Sequence, residues 1–367
     1  MAADPRVHEY AKLLVERCID PRPDWQVLVA ATTEARPLAR ELSRLLAARG
    51  SFALPRISFG APFPLDLDWI EAATAELAGR LAPLEQDVLD GVDASIFVLA
   101  PEHTDATARL GAGASRAFRL HVSAQRWRGR AGETPSVRCD FPCRAYAEAA
   151  GLSLADFEDL FYAACLRDWD AEARRMQPVL ERFDRAKEVR IVGEGTDLHL
   201  SLRGRTGAID DGHVNVPGGE VYFSPLEDSA AGEILFDLPS GRAVEGVRLR
   251  LERGVVVEAA AARGDDVLQR ALATDEGARR LGELGLGCNE GITRHLRNVL
   301  FDEKMAGTVH LALGSGIPAI GGRNESALHW DLVKDLRTRG ELWCDGELVQ
   351  RDGRWLLWAA QKSTLRE

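Results

Sequence analysis

Residues 301–336 read FDEKMAGTVHLALGSGIPAIGGRNESALHWDLVKDL, and the second half of the chain is organised around them. The run Thr308-Val309-His310-Leu311-Ala312-Leu313 is apolar and partly β-branched, which predicts a strand. His329 and Asp331 flank Trp330. Residues two apart in an extended segment face the same way, so this imidazole and this carboxylate project together. With His310 on a second strand, they form half of a candidate metal site.

Outward from that stretch, composition sets the bounds. A chain of 367 residues is long for one hydrophobic core, so two domains are expected. A net charge of -11 with no Lys/Arg block argues against a nucleic-acid partner. The opening MAADPRVHEYAKLLVERC has no apolar core, and no run approaches the roughly 20 apolar residues that span a bilayer. Neither a signal peptide nor a membrane segment is expected, and a cytoplasmic location is. Of the cysteines, only Cys139 and Cys143 (RCDFPC) lie close together, and no second pair follows at zinc-finger spacing. They read as reduced, mostly buried thiols.

The first half alternates strands and helices. Trp25 to Ala31 and Ala94 to Ala100 are short apolar runs that predict buried strands. Between them lie a helix from Ala35 to Arg49 closed by Gly50, a strand from Ser51 to Phe59, and a polar helix holding Trp69 and Ile70. This order predicts a parallel α/β layer with right-handed connections. Gly111 and Gly113 in LGAGAS lack the strand-to-helix turn and third glycine of a dinucleotide loop. Helix formers from Ala155 to Arg182 close this half.

After Lys187 the character changes. Val189 to Gly193, Thr196 to Leu202, Ile234 to Phe236, Val247 to Leu251 and Val255 to Ala259 are strand-like, with dense Gly/Asp/Pro turns and one helix from about Asp265 to Leu281. The predicted organisation is an N-terminal α/β domain with a parallel sheet, 1–185, and a strand-rich α+β metal-binding domain, 186–367.

Two carboxylates in this second half complete the candidate site. Glu220 follows Pro217-Gly218-Gly219, a turn that aims it at one face; the alternative is a solvated edge-strand glutamate. Glu283 lies in LGELGLG, where a buried carboxylate needs a partner, either a metal or Arg279 or Arg280. His213 is a weaker candidate and Glu290 reads as exposed. His8, His103, His121 and His295 read as ordinary, and His199 as solvent-facing. Glu220, Glu283, His310, His329 and Asp331 are a mixed N/O donor set, suited to two adjacent divalent ions sharing a carboxylate and a water. Such pairs polarise carbonyls and acidify water, the chemistry of amide hydrolysis.

Five motifs carry a family resemblance: VPGGEVYFSPLEDSAAGEILFD, DEGARRLGELGLGCNEGI, LFDEKMAGTVHLALG, GGRNESALHWDLVKDLR and DGELVQRDGRW. In order and spacing, from about Asp197 onward, the chain resembles the thermophilic aminopeptidase family. The resemblance implies a dinuclear metallo-exopeptidase acting on peptide N-termini, a homodimer with an N-terminal α/β domain and a C-terminal metal domain. It implies two divalent ions (zinc, cobalt or magnesium) on Glu220, Glu283, His310, His329 and Asp331. Glu283 is also the candidate base for the attacking water. The family's GRAYPETGG stretch reads GSGIPAIGG here, so Ile317 replaces a tyrosine and Ser315 an arginine. Lower peptidase efficiency is expected from the missing hydroxyl. Two alternatives stand beside this reading. One is a mononuclear iron ring-opening dioxygenase on the same scaffold, using His310, His329 and Asp331. The other is a non-catalytic metal- or peptide-binding homologue.

Overall fold

The structure is a computed structural model, and it describes residues 4–59, 67–78, 80–104, 134–239 and 244–358. Gly111, Gly113 and His121 lie outside the described residues. The chain divides into two compact units, 1–166 with 212–217, and 167–211 with 218–367.

The first unit is built on a parallel sheet. Strands β1 (Gln26–Thr32), β2 (Phe52–Ser58), β3 (Ala94–Leu99) and β4 (Ser136–Asp140) are ordered β2-β1-β3-β4, and β8 (Asn215–Val216) adds to β4. Strands β1 and β3 are buried along almost their whole length, which is why they read as unbroken apolar runs. The helix Arg36–Ala48 connects β1 to β2, and Gly50 (φ 74) takes the left-handed conformation that ends it. Cys139, Cys143 and Cys165 are buried in this unit outside any disulfide, with Cys18 partly exposed.

The second unit carries two antiparallel sheets. The larger contains β5 (Glu188–Gly193), β6 (Thr196–Ser201), β10 (Ala231–Phe236), β11 (Glu245–Glu252), β12 (Val255–Arg263), β16 (Glu341–Cys344), β17 (Glu347–Arg351) and β18 (Arg354–Trp355), ordered β12-β11-β10-β6-β5-β16-β17-β18. The smaller contains β7 (Ala208–Asp210), β9 (Glu220–Phe223), β13 (Leu281–Gly287), β14 (Thr308–Gly314) and β15 (His329–Asp335), ordered β15-β14-β13-β9-β7. Leu198, Leu200 and Leu249 from the larger sheet and Leu284, Leu286, Leu311 and Leu332 from the smaller belong to one buried core.

The helical predictions need correction at two points. The stretch from Ala155 to Arg182 is two helices, Leu154–Cys165 and Trp169–Asp184, because the Asp168 carboxylate accepts from Ala171 N (3.0 Å) and starts a new one. The second of these helices lies in the strand-rich unit, where Phe183 packs on Phe223 and Trp355. The predicted helix from Asp265 to Leu281 stops at Leu272. There the Asp275 carboxylate caps a short 3-10 turn, Glu276–Arg279, and Leu281 already begins β13.

Candidate metal centre

All five residues named from the sequence lie on the smaller sheet of the second unit. Glu220 is on β9, Glu283 on β13, His310 on β14, and His329 and Asp331 on β15. On one side, strand pairing sets each opposite a small residue, while on the other Glu220 meets Asp210 and His310 meets Val333. Glu220 faces Gly287, Glu283 and Asp331 both face Ala312, His310 faces Gly285, and His329 faces Gly314. The alternate residues Leu284, Leu286, Val309, Leu311, Leu313 and Leu332 point into the core. One face of the sheet is therefore greasy, and the other carries the polar side chains, with Gly285, Gly287, Ala312 and Gly314 leaving room between them. Glu220 is buried in an interior strand of that sheet, not solvated at an edge.

Local features hold each side chain. Gly219, at φ 106, adopts a backbone that other residues rarely take, and its N–H donates to Asp210 O (2.7 Å). That turn delivers Glu220. Gly285 clears space instead, since a Cβ there would stand 1.8 Å from His310 Cε1. Gly285→Ala is therefore expected to push the imidazole from its place and to cost about 1–3 kcal/mol by overpacking. Urea unfolding of the variant measures it, and an unchanged midpoint would contradict the contact.

The two imidazoles are oriented alike. His310 Nδ1 lies 3.0 Å from Glu303 O, and His329 Nδ1 lies 3.0 Å from Ser315 O. A carbonyl only accepts, so Nδ1 donates in both and Nε2 is turned toward the carboxylates. His310 Nε2 is 3.5 Å from Glu220 Oε2 and 3.6 Å from Glu283 Oε1. His329 Nε2 is 3.4 Å from Glu283 Oε2 and 3.6 Å from Asp331 Oδ1. These gaps are long for hydrogen bonds. They match the ~3.4 Å that separates two ligand atoms when each sits about 2.1 Å from a shared tetrahedral ion.

Two trios able to hold a cation result, Glu220–Glu283–His310 and Glu283–His329–Asp331, and Glu283 is common to both. Glu220 Oε2 and Asp331 Oδ1 are buried and accept no hydrogen bond. Such atoms are costly unless something not a hydrogen-bond donor meets them. The donor set thus fits divalent cations.

Proton affinities fit the same picture. Burial would lower His310, but the carboxylates of Glu283 and Glu220 raise it to about 10. Burial would likewise lower His329, and Asp331 and Glu283 raise it to about 9. Burial pushes Glu220 up to about 8, against the pull of Lys304 and His310. Asp331 is raised for the same reason. Burial also acts upward on Glu283, but the two imidazoles beside it, His310 and His329, hold it below the usual carboxylate range.

The structure adds residues that the sequence pattern does not single out. Lys304 is wholly buried, with Nζ 3.1 Å from Glu220 Oε1 and 3.5 Å from Asp210 Oδ2, and in contact with Glu303 Oε1. The only sequence signal was its place in the polar triplet Asp302-Glu303-Lys304 just ahead of a strand. His295 is also more than ordinary: it pairs with the buried Asp302 (3.0 Å), whose carboxylate accepts from Leu296 N and Asn298 N. Arg279 and Arg280 do not partner Glu283, since each donates to a backbone carbonyl, of Val256 and Glu227 respectively. His213 and His199 are exposed, and Glu290 reaches Arg175 at the surface.

Residues 3–355 match the thermophilic metalloprotease (M29) family. The chain belongs to that family. Aminopeptidase T of Thermus thermophilus is 32% identical over 237 residues, 55% of this chain and 56% of that protein. The matched part spans little more than half the length of that relative. The fold extends further: the solved structure of AmpT from Thermus thermophilus superposes with a TM-score of 0.80 at 23% identity, covering 96% of this chain and 99% of that one. The 2,5-dihydroxypyridine dioxygenase of Pseudomonas putida shares the fold at a TM-score of 0.58 and 14% identity, over 97% and 98% of the two chains. Among the described residues no helix is long and apolar enough to cross a membrane.

Proposed function

We propose that this chain is a metal-dependent aminopeptidase, working on peptide N-termini as a cytoplasmic homodimer. Glu220, Glu283 and His310 would hold one divalent cation, and Glu283, His329 and Asp331 a second, with zinc, cobalt or magnesium as the candidates. The observation that carries the reading is Glu283, which turns Oε1 to His310 and Oε2 to His329. Charge supports it too. With neutral imidazoles, Asp210, Glu220, Glu283, Glu303 and Asp331 against Lys304 leave four negative charges, the complement of two divalent ions.

When bound, such a pair supplies carbonyl polarisation and a more acidic water. The chain's own residues do the rest. Glu283, with both oxygens committed, is better suited to holding the centre than to serving as a free base. His329 and Asp331 are partly exposed while Glu220 and His310 are buried, so a peptide would reach the centre from the β15 side. The loop on that side is tied down by Ser315 O on His329 and by the Ile317 N–H, which donates to Ser224 Oγ (3.0 Å). The Ile317 side chain has no donor to offer a developing oxyanion.

Metal analysis of the reconstituted protein, with release of leucine or arginine from small amides, tests the proposal. Two ions per chain with turnover supports it. One iron per chain with oxygen uptake on an aromatic diol would replace it with the dioxygenase reading. Two ions with no turnover on a broad peptide panel would leave a metal-binding homologue. Ile317→Tyr is expected to raise turnover by up to about 10²-fold, the worth of one oxyanion donor, with KM little changed. A steady-state comparison that shows equal kcat would mean that another group already fills the role.

A further inference from the structure

Lys304 is an ammonium shut away from water at the back of the metal centre, with its side chain 0% exposed. Its contacts divide one carboxylate in two: Glu220 Oε1 lies 3.1 Å from Nζ, while Oε2 faces His310 Nε2 at 3.5 Å and accepts no hydrogen bond. Two further carboxylates, Asp210 and Glu303, are gathered on the same ammonium. The backbone adds to this. Glu303 O receives His310 Nδ1, and Asn289 N donates to Lys304 O (2.9 Å). Adjacent residues thus grip both His310 and Glu220, which belong to one half of the centre. Among the described ion pairs, no Lys or Arg meets His329 or Asp331 in the other half.

We propose that Lys304 is a positioning residue for Glu220. It occupies Oε1, so that Glu220 offers the Glu283–His310 half of the centre a single oxygen, and it keeps Asp210 and Glu303 out of the ligand set. The physical reason is that a carboxylate held by one oxygen can neither rotate nor chelate with both. A buried ammonium makes a strong, charge-assisted anchor for that oxygen. Groups that orient a ligand in this way are typically worth 10–100-fold in metal affinity. The inference rests on the two-ion reading above and adds to it a cause for the geometry of one half.

The test uses the full chain, stripped and titrated with Co²⁺, read by metal content and by the visible absorption of bound cobalt. Lys304→Met is expected to weaken one of two Co²⁺ sites at least about 10-fold and leave the other unchanged. In a Glu220→Gln background the same substitution is expected to have no further effect on Co²⁺ binding, because the two changes act through one carboxylate. A merely structural lysine would weaken both sites, or would subtract again in that background; either result overturns the proposal, as does unchanged binding. If circular dichroism shows Lys304→Met unfolded, Lys304→Arg decides. Its fork engages Glu220 differently, so both ions are expected to be kept with a shifted cobalt spectrum, and an unshifted spectrum overturns the proposal. Fewer than two Co²⁺ in the unsubstituted protein would instead overturn the two-ion reading itself.

Discussion

Glu283→Gln is expected to empty both halves of the metal centre together. Its Oε1 faces His310 and its Oε2 faces His329, so no other single residue is common to the two trios. An amide keeps the shape but loses the charge, and its nitrogen turns a donor toward one of the cations. The substitution should leave less than one ion per chain after dialysis. Hydrolysis of an aminoacyl amide should fall at least about 10³-fold, since groups that act as a unit fail together. Glu220→Gln and Asp331→Asn, each in one trio only, should cost one ion and spare the other. Metal content by elemental analysis separates these outcomes. A Glu283→Gln protein that still holds two ions would sink the shared-carboxylate arrangement.

The metal-free protein should lose stability as pH rises, and divalent cations should restore more of it at each step. His310 is raised from 6.5 to about 10, and His329 from 6.5 to about 9. The folded chain therefore binds these protons more tightly than the unfolded one. Their contribution is whole below about pH 6.5 and lost as pH climbs through 9 and 10. Glu220, raised from 4.5 to about 8, has the same sign and acts earlier, between those two values. Glu283, held low, runs the opposite way, but its window lies below the ordinary carboxylate range and does not overlap. At about 1.4 kcal/mol per pKa unit, shared among coupled groups, the loss from pH 6 to pH 10 should be on the order of several kcal/mol. A cation must displace a proton from each imidazole, so metal affinity should rise over the same range. Unfolding by urea at pH 6, 8 and 10, in chelator and in excess Zn²⁺, measures both trends. A flat profile in chelator would mean that the imidazoles are neutral without metal.

Much of the site was legible because strand geometry is simple. His329 and Asp331 had to share a face once their segment was extended, and LGELGLG had to place one carboxylate among small residues. What those glycines were for was not legible. Gly285 exists to clear room for an imidazole on the neighbouring strand, and only the pairing Gly285 with His310 reveals it. Lys304 was missed for a related reason. A lysine beside a glutamate in a polar triplet reads as solvated, and nothing local says that Asp210 and Glu220, far away in sequence, close over it. The helix ends erred where a single aspartate decided them, Asp168 and Asp275, because composition continued to favour helix past both.

Sequence alone determined the alternation of strands and helices in the first half, the strand-rich second half, the family, and the identity of the five side chains that stand together. These depend on hydrophobic period, turn residues and local motif text, all of which are written along the chain. Tertiary structure alone decided that Glu283 stands between the two imidazoles, that each imidazole is aimed by a backbone carbonyl, and that an ammonium backs Glu220. These depend on register between strands distant in sequence, and register is fixed by packing of the whole sheet rather than by any one segment.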